Sequence, residues 1–91
     1  MKAAISSASK ESRIELLPLS LLRAGQAGRV VEVLGRVDLV QRLREMGLHD
    51  GALVQMVRPG NPCIVRLLGQ RLGFRTDDLA LVMVRVTSPA F

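Results

Sequence analysis

The sequence predicts a small, mainly β fold: a barrel of about five short strands with one helix inserted after the first. Three observations carry this expectation. Val- and Leu-rich runs recur along the chain, separated by Gly and Pro at roughly the 8 to 12 residue spacing of a small barrel or sandwich. One stretch, beginning at Asp38, changes from strand-like to helical spacing. The whole chain has 91 residues, and a chain of that size supports one hydrophobic core rather than two.

Taken in order, residues 1–15 are rich in Ser and Ala with scattered charges and no period that would bury a face. They are expected to form a flexible N-terminal extension. The folded domain is expected over 16–86. It opens with "LPLSLLRAGQAG", where Leu19, Leu21 and Leu22 precede Gly25, as in a short helical turn that closes one end of the core. "GRVVEVLG", residues 28–35, is Val-rich and bounded by glycines, so it is read as the first strand.

The inserted helix follows. Leu39, Val40, Leu43 and Met46 fall on one stripe, Gln41, Arg42, Arg44 and Glu45 lie opposite, and Asp38 is placed to cap the N-terminus. Gly47 stops the helix as a left-handed residue, and His49-Asp50-Gly51 makes a turn. "ALVQMVRP" is the next strand, with Val54 and Met56 on one side and Gln55 on the other; Pro59 and Gly60 break it. "NPCIVRLLG" and "QRLGFR" then form a tight hairpin around Gly69. "TDDLA" is a single helical turn capped by Thr76, "LVMVRV" closes the domain, and 87–91 is a tail. A half-open, SH3-like barrel accommodates these elements and limits exposed sheet edges.

Composition narrows the function. Hydrophobic residues make up 48% of the chain but aromatics only 2%, so there is no set of exposed rings on which single-stranded nucleic acid could stack. The net charge is +5, and 11 of the 13 basic residues are Arg. That balance suits nucleic acid, an anionic membrane surface or an acidic protein, yet the arginines form no run of three, and nucleic acid is not the expected partner. A single cysteine, Cys63, excludes an internal disulfide and fits a reducing compartment. Neither a secretory h-region nor an apolar run near the roughly 20 residues of a membrane span is present. The expected location is the cytoplasm, without direct membrane insertion.

No G-x-S-x-G, phosphate-cradling Gly loop with Lys, or H-E-x-x-H is found, so the chain is not expected to be an enzyme. A metal site for Fe2+ or Zn2+ would draw on His49, Asp50 and Cys63, with Glu45 nearby in sequence. These ions normally take three or four protein ligands. One His and one Cys cannot make a classical structural site; mixed N, S and carboxylate coordination requires that the 49–50 turn approach the start of the 61–69 strand, or that two molecules share the ion. The structural alternatives are a solvated turn for His49 and a core position for Cys63; no cofactor is required by either. A partner surface is better placed at the exposed charges Arg42, Arg44 and Glu45. The loop containing Arg58, Pro59, Asn61 and Pro62 is a second candidate, since loops on a rigid barrel commonly bind.

The segments "LREMGLHDG" at 43–51, "RPGNPCIVRLLG" at 58–69 and "LGFRTDDLALVMV" at 72–84 together resemble the FeoA family of bacterial ferrous-iron uptake. The helix ending in Met-Gly-Leu, then two residues, then Gly carries most of the likeness; Leu72, Phe74, Arg75 and Ala80 add an independent part. The chain departs from the family by having Asp50 where a Pro commonly precedes the glycine. The resemblance, over about 16–86, implies an SH3-like barrel similar also to the C-terminal domain of iron-dependent repressors. It further implies a non-catalytic accessory that binds and modulates the membrane GTPase permease FeoB from the cytoplasmic side. Two alternatives remain: a metal-responsive module for Fe2+ or Zn2+, and a basic nucleic-acid-binding barrel. Edge strands leave weak self-association open.

Overall fold

The computed structural model describes residues 12–89. Six strands and three short helical elements follow one another: β1 (Ser12–Pro18), a 3-10 turn (Leu19–Leu21), β2 (Ala27–Val33), α1 (Val37–Glu45), β3 (Leu53–Arg58), β4 (Cys63–Leu67), β5 (Gln70–Phe74), α2 (Thr76–Leu79) and β6 (Val82–Pro89). All strand pairs are antiparallel, and the order across the sheet is β1-β6-β2-β3-β4-β5.

The first pairing differs from expectation. Residues 12–15 lie in β1, paired from Ser12 opposite Pro89 to Pro18 opposite Met83, so ordered pairing starts within the stretch read as an extension and ends within the stretch read as a tail. Residues 1–11 lie outside the described part. The helix accordingly follows the second strand, not the first.

Alternation explains the core. Val30 of β2, Val54 and Met56 of β3, Cys63, Val65 and Leu67 of β4, Phe74 of β5, and Val82, Val84 and Val86 of β6 all point inward, with Leu19, Leu22, Leu43, Leu48 and Leu79 from the helical elements and loops. Inward side chains from five strands meet in one cluster only because the sheet curls. Register shifts between Val30 and Glu32 and between Met56 and Arg58 supply bends, as bulges do. No buried polar or charged side chain occurs among the described residues.

Two caps differ from the sequence reading. The N-cap of α1 is Arg36, two residues early. Asp38 lies inside the first turn, where its charge complements the helix dipole, and pairs with Arg36 at 3.9 Å on the solvent side. At α2 the N-cap is Arg75, without a side-chain bond. The Thr76 hydroxyl donates instead to the Gly60 carbonyl, fastening the β3–β4 loop to α2.

Candidate partner-binding groove

The exit of α1 is set by its glycine. Met46 is the C-cap and Gly47 follows at φ +112. The Gly47 amide donates to the Arg44 carbonyl at 3.0 Å, and the Leu48 amide donates to the Leu43 carbonyl at 3.0 Å. These two bonds are the Schellman arrangement, and the accompanying apolar contact belongs to Leu43 and Leu48, both buried. Leu48 was absent from the sequence-derived core stripe; its place as the second residue after the cap was the available signal. Met46, assigned to that stripe, is 41% exposed.

The following turn is tied to the sheet. Ala52 donates to the His49 carbonyl at 3.0 Å, Gly51 to Val30 at 2.7 Å, and Val30 to Ala52 at 2.9 Å. The Arg29 guanidinium donates to the Gly51 carbonyl at 2.9 Å. His49 therefore stands exposed on a fixed turn, beside one face of α1.

That face forms a groove of about 560 Å³ lined by Gly35, Val37, Val40, Gln41, Arg44, Glu45 and His49. Val37, Gln41 and Glu45 follow one another at i, i+4, and Val40 with Arg44 does the same, as residues on one helix face must. Gln41 donates from Nε2 to Glu45 Oε2 at 3.4 Å. Val37 is 81% exposed, so the groove has an apolar wall, with a guanidinium, a carboxylate and an imidazole around it.

The expected partner residues separate on the structure. Arg44 and Glu45 line the groove, whereas Arg42, about 200° from Arg44 around the helix, does not. Arg58, the last residue of β3, and Pro59, Asn61 and Pro62 of the β3–β4 loop are exposed and are not among the residues that line the groove. Asn61 has a local task there, its Oδ1 accepting the Thr76 amide at 3.3 Å. Gly35, Val37, Val40 and Gln41 were missed because starting the helix at Asp38 hides Val37 and assigns Val40 to the core.

The three candidate metal ligands are not brought together. Cys63 is fully buried, and its Sγ donates to the Gly60 carbonyl at 3.0 Å and lies 3.7 Å from the Thr76 hydroxyl. His49 and Asp50 are exposed. Among the described residues no group of three His, Cys, Asp or Glu side chains could hold a metal ion. The physical reason is alternation: the strand that starts at Cys63 turns that side chain into the core.

Comparison with known proteins agrees with this architecture. Residues 17–86 match the model of the FeoA domain. No curated protein matches significantly. Among solved structures, an iron uptake regulatory protein, FeoA, is 34% identical with a TM-score of 0.74, covering 78% of this chain and 97% of that one. FeoA of Stenotrophomonas maltophilia complexed with zinc, described as a prokaryotic SH3 domain protein and a candidate activating factor for ferrous iron transport, is 29% identical with a TM-score of 0.68. The match covers 82% of this chain and 99% of that one. IdeR of T. acidophilum shares the fold at 19% identity and a TM-score of 0.71, covering 78% of this chain and 34% of that chain. With a six-stranded SH3-like barrel and a family match spanning 17–86, the chain belongs to the FeoA family.

Proposed function

We propose that the chain is a non-catalytic accessory of ferrous iron uptake that binds a cytoplasmic segment of a FeoB-type GTPase permease. The observation that carries the reading is the groove on α1, lined by Val37, Val40, Arg44, Glu45 and His49 and walled by a helix and a turn that are both fixed by backbone hydrogen bonds. A preformed surface of this kind loses little freedom on binding. Its effect on the permease follows from differential affinity: a conformation of the permease that presents the complementary segment gains population when this chain binds. The names of related proteins, iron uptake regulatory protein and candidate transport activating factor, support an iron-transport partner.

The test is a binding measurement between this chain and the permease, in its apo, GDP-bound and GTP-bound states. Val37→Asp with Arg44→Glu is expected to weaken association at least ~10-fold, because the wall loses its apolar character and the groove its cation. Arg42→Glu, on another side of α1, is expected to leave it within ~2-fold. Absence of association in every nucleotide state removes the proposal.

A further inference from the structure

The outer face of the curled sheet carries a charge imbalance that neither the core nor the α1 groove uses. From Gly51 to Thr76 the sequence holds Arg58, Arg66, Arg71 and Arg75 and no acidic residue. The β3–β4–β5 meander thus supplies +4 of the chain's net +5, while among the described residues the acids lie elsewhere, Glu15 on β1, Glu32 on β2, and Asp38, Glu45, Asp50, Asp77 and Asp78 on the helices and the 49–51 turn.

Strand register concentrates this charge. Arg66 lies directly opposite Arg71, and Arg29 directly opposite Arg85; all four are exposed. None has a carboxylate within 4.0 Å among the described residues, whose recorded ion pair joins Arg36 to Asp38. Like charges directly opposite each other destabilise a sheet. The Arg66–Arg71 pair sits next to the hydrogen-bonded pair that closes the hairpin, Leu67 opposite Gln70, and is therefore of the non-hydrogen-bonded type in which side chains come closest.

The same hairpin breaks a second local rule. Its two-residue loop is Leu68 at φ 54 and Gly69 at φ 77, the geometry of a type I′ turn, where Asn is the usual first residue. A leucine there is in a disfavoured backbone region and is also 76% exposed. Leu53, opposite Arg29, is 54% exposed. Leu53 and Leu68 border a hollow of about 460 Å³ that Ala27, Gln55, Arg66 and Gly69 complete. Unfavourable choices clustered on one surface mark function more often than accident.

We infer that this face docks peripherally on an anionic phospholipid surface, with Arg29, Arg66, Arg71 and Arg85 taking headgroup phosphates and Leu53 and Leu68 entering the acyl boundary. Arginine and exposed leucine interleaved are what an interfacial site needs, since anionic headgroups attract the first and the apolar boundary the second. A polynucleotide would satisfy the arginines and leave the leucines in water, and the face has no aromatic side chain to stack, Phe74 being turned into the core. The inference does not depend on the permease reading, because lipid binding is measured without any permease.

The experiment is partition of the full chain onto vesicles of phosphatidylcholine, with and without phosphatidylglycerol. Binding is expected on the anionic vesicles alone and should fade with added salt. Arg66→Glu is expected to weaken it at least ~10-fold, since each arginine near such a surface contributes roughly fivefold. The same substitution turns a repulsive cross-strand pair into an attractive one, so its Tm should not fall and the loss is not unfolding. Leu53→Ser with Leu68→Asn should weaken partition at unchanged charge. Arg42→Glu, an equal change in net charge on α1, should leave partition within ~3-fold. Equal partition onto neutral vesicles, an Arg66→Glu chain that binds as before, or an Arg42→Glu chain weakened as much as Arg66→Glu overturns the inference. So does binding to duplex DNA or a polyglutamate peptide at a salt concentration where vesicles capture nothing.

Discussion

Gly47 leaves the helix exit almost no latitude. Its φ of +112 is costly for any residue with a side chain, and an added Cβ would lie 3.0 Å from Leu67 Cδ2. Gly47→Ala is therefore expected to lower stability by about 1–3 kcal/mol. The chain has neither Trp nor Tyr, so urea unfolding followed by far-UV circular dichroism is the suitable measurement. Leu68 presents the opposite case. Leu68→Asn gives the type I′ turn its preferred residue and should raise stability by about 0.5–1 kcal/mol in the same assay. Gly47 was readable in the sequence because it ended a helical period. The strain at Leu68 was not, because leucine gives no turn signal and only Gly69 marked the hairpin. Cys63 and His49 were visible as metal-binding residue types, but the strand that buries one and the turn that exposes the other were decided by pairing.

Helix α1 does two things with one short length. Leu43 anchors it in the core, and Val37, Val40 and Arg44 face the groove. Sequence periodicity showed that the helix existed and where it ended, while its start two residues earlier changed which side chains shared a surface. Arg42 and Arg44, adjacent on paper, serve different sides. Helix α2 is too short to hold itself and depends on the β3–β4 loop, through Thr76 to Gly60 and Asn61 to the Thr76 amide. Asn61→Ala should cost about 1 kcal/mol, as a lost hydrogen bond does, with the loss read as a lower urea midpoint at unchanged slope. If permease binding survives that substitution, Asn61 is a structural anchor and the α1 groove carries recognition.

Across the molecule, charge is uneven: the meander carries arginines and no acid, while the acids of the described residues lie on β1, β2, the helices and the 49–51 turn. The folded state should gain stability as salt rises from low concentration toward about 0.15 M, because screening relieves the repulsion between Arg66 and Arg71 and between Arg29 and Arg85. A thermal melt series in sodium chloride checks this, and Arg66→Glu should flatten the dependence. The central strands were legible as Val- and Leu-rich runs between glycines. Strand β1 was not, since Ser12, Arg13 and Glu15 look like solvated tail, and their partner strand β6 is about seventy residues away. Pairing between the two ends of a chain leaves no local trace in either segment.

The enclosed thiol of Cys63 gives this chain a chemical clock. With Sγ bound to the Gly60 carbonyl and no accessible surface, an alkylating reagent reaches it only when the barrel opens. Every labelled molecule then records one opening event. In a protein without indole or phenol groups, mass spectrometry of that single site can time the breathing of the fold. The same count can show whether a bound vesicle or permease slows it.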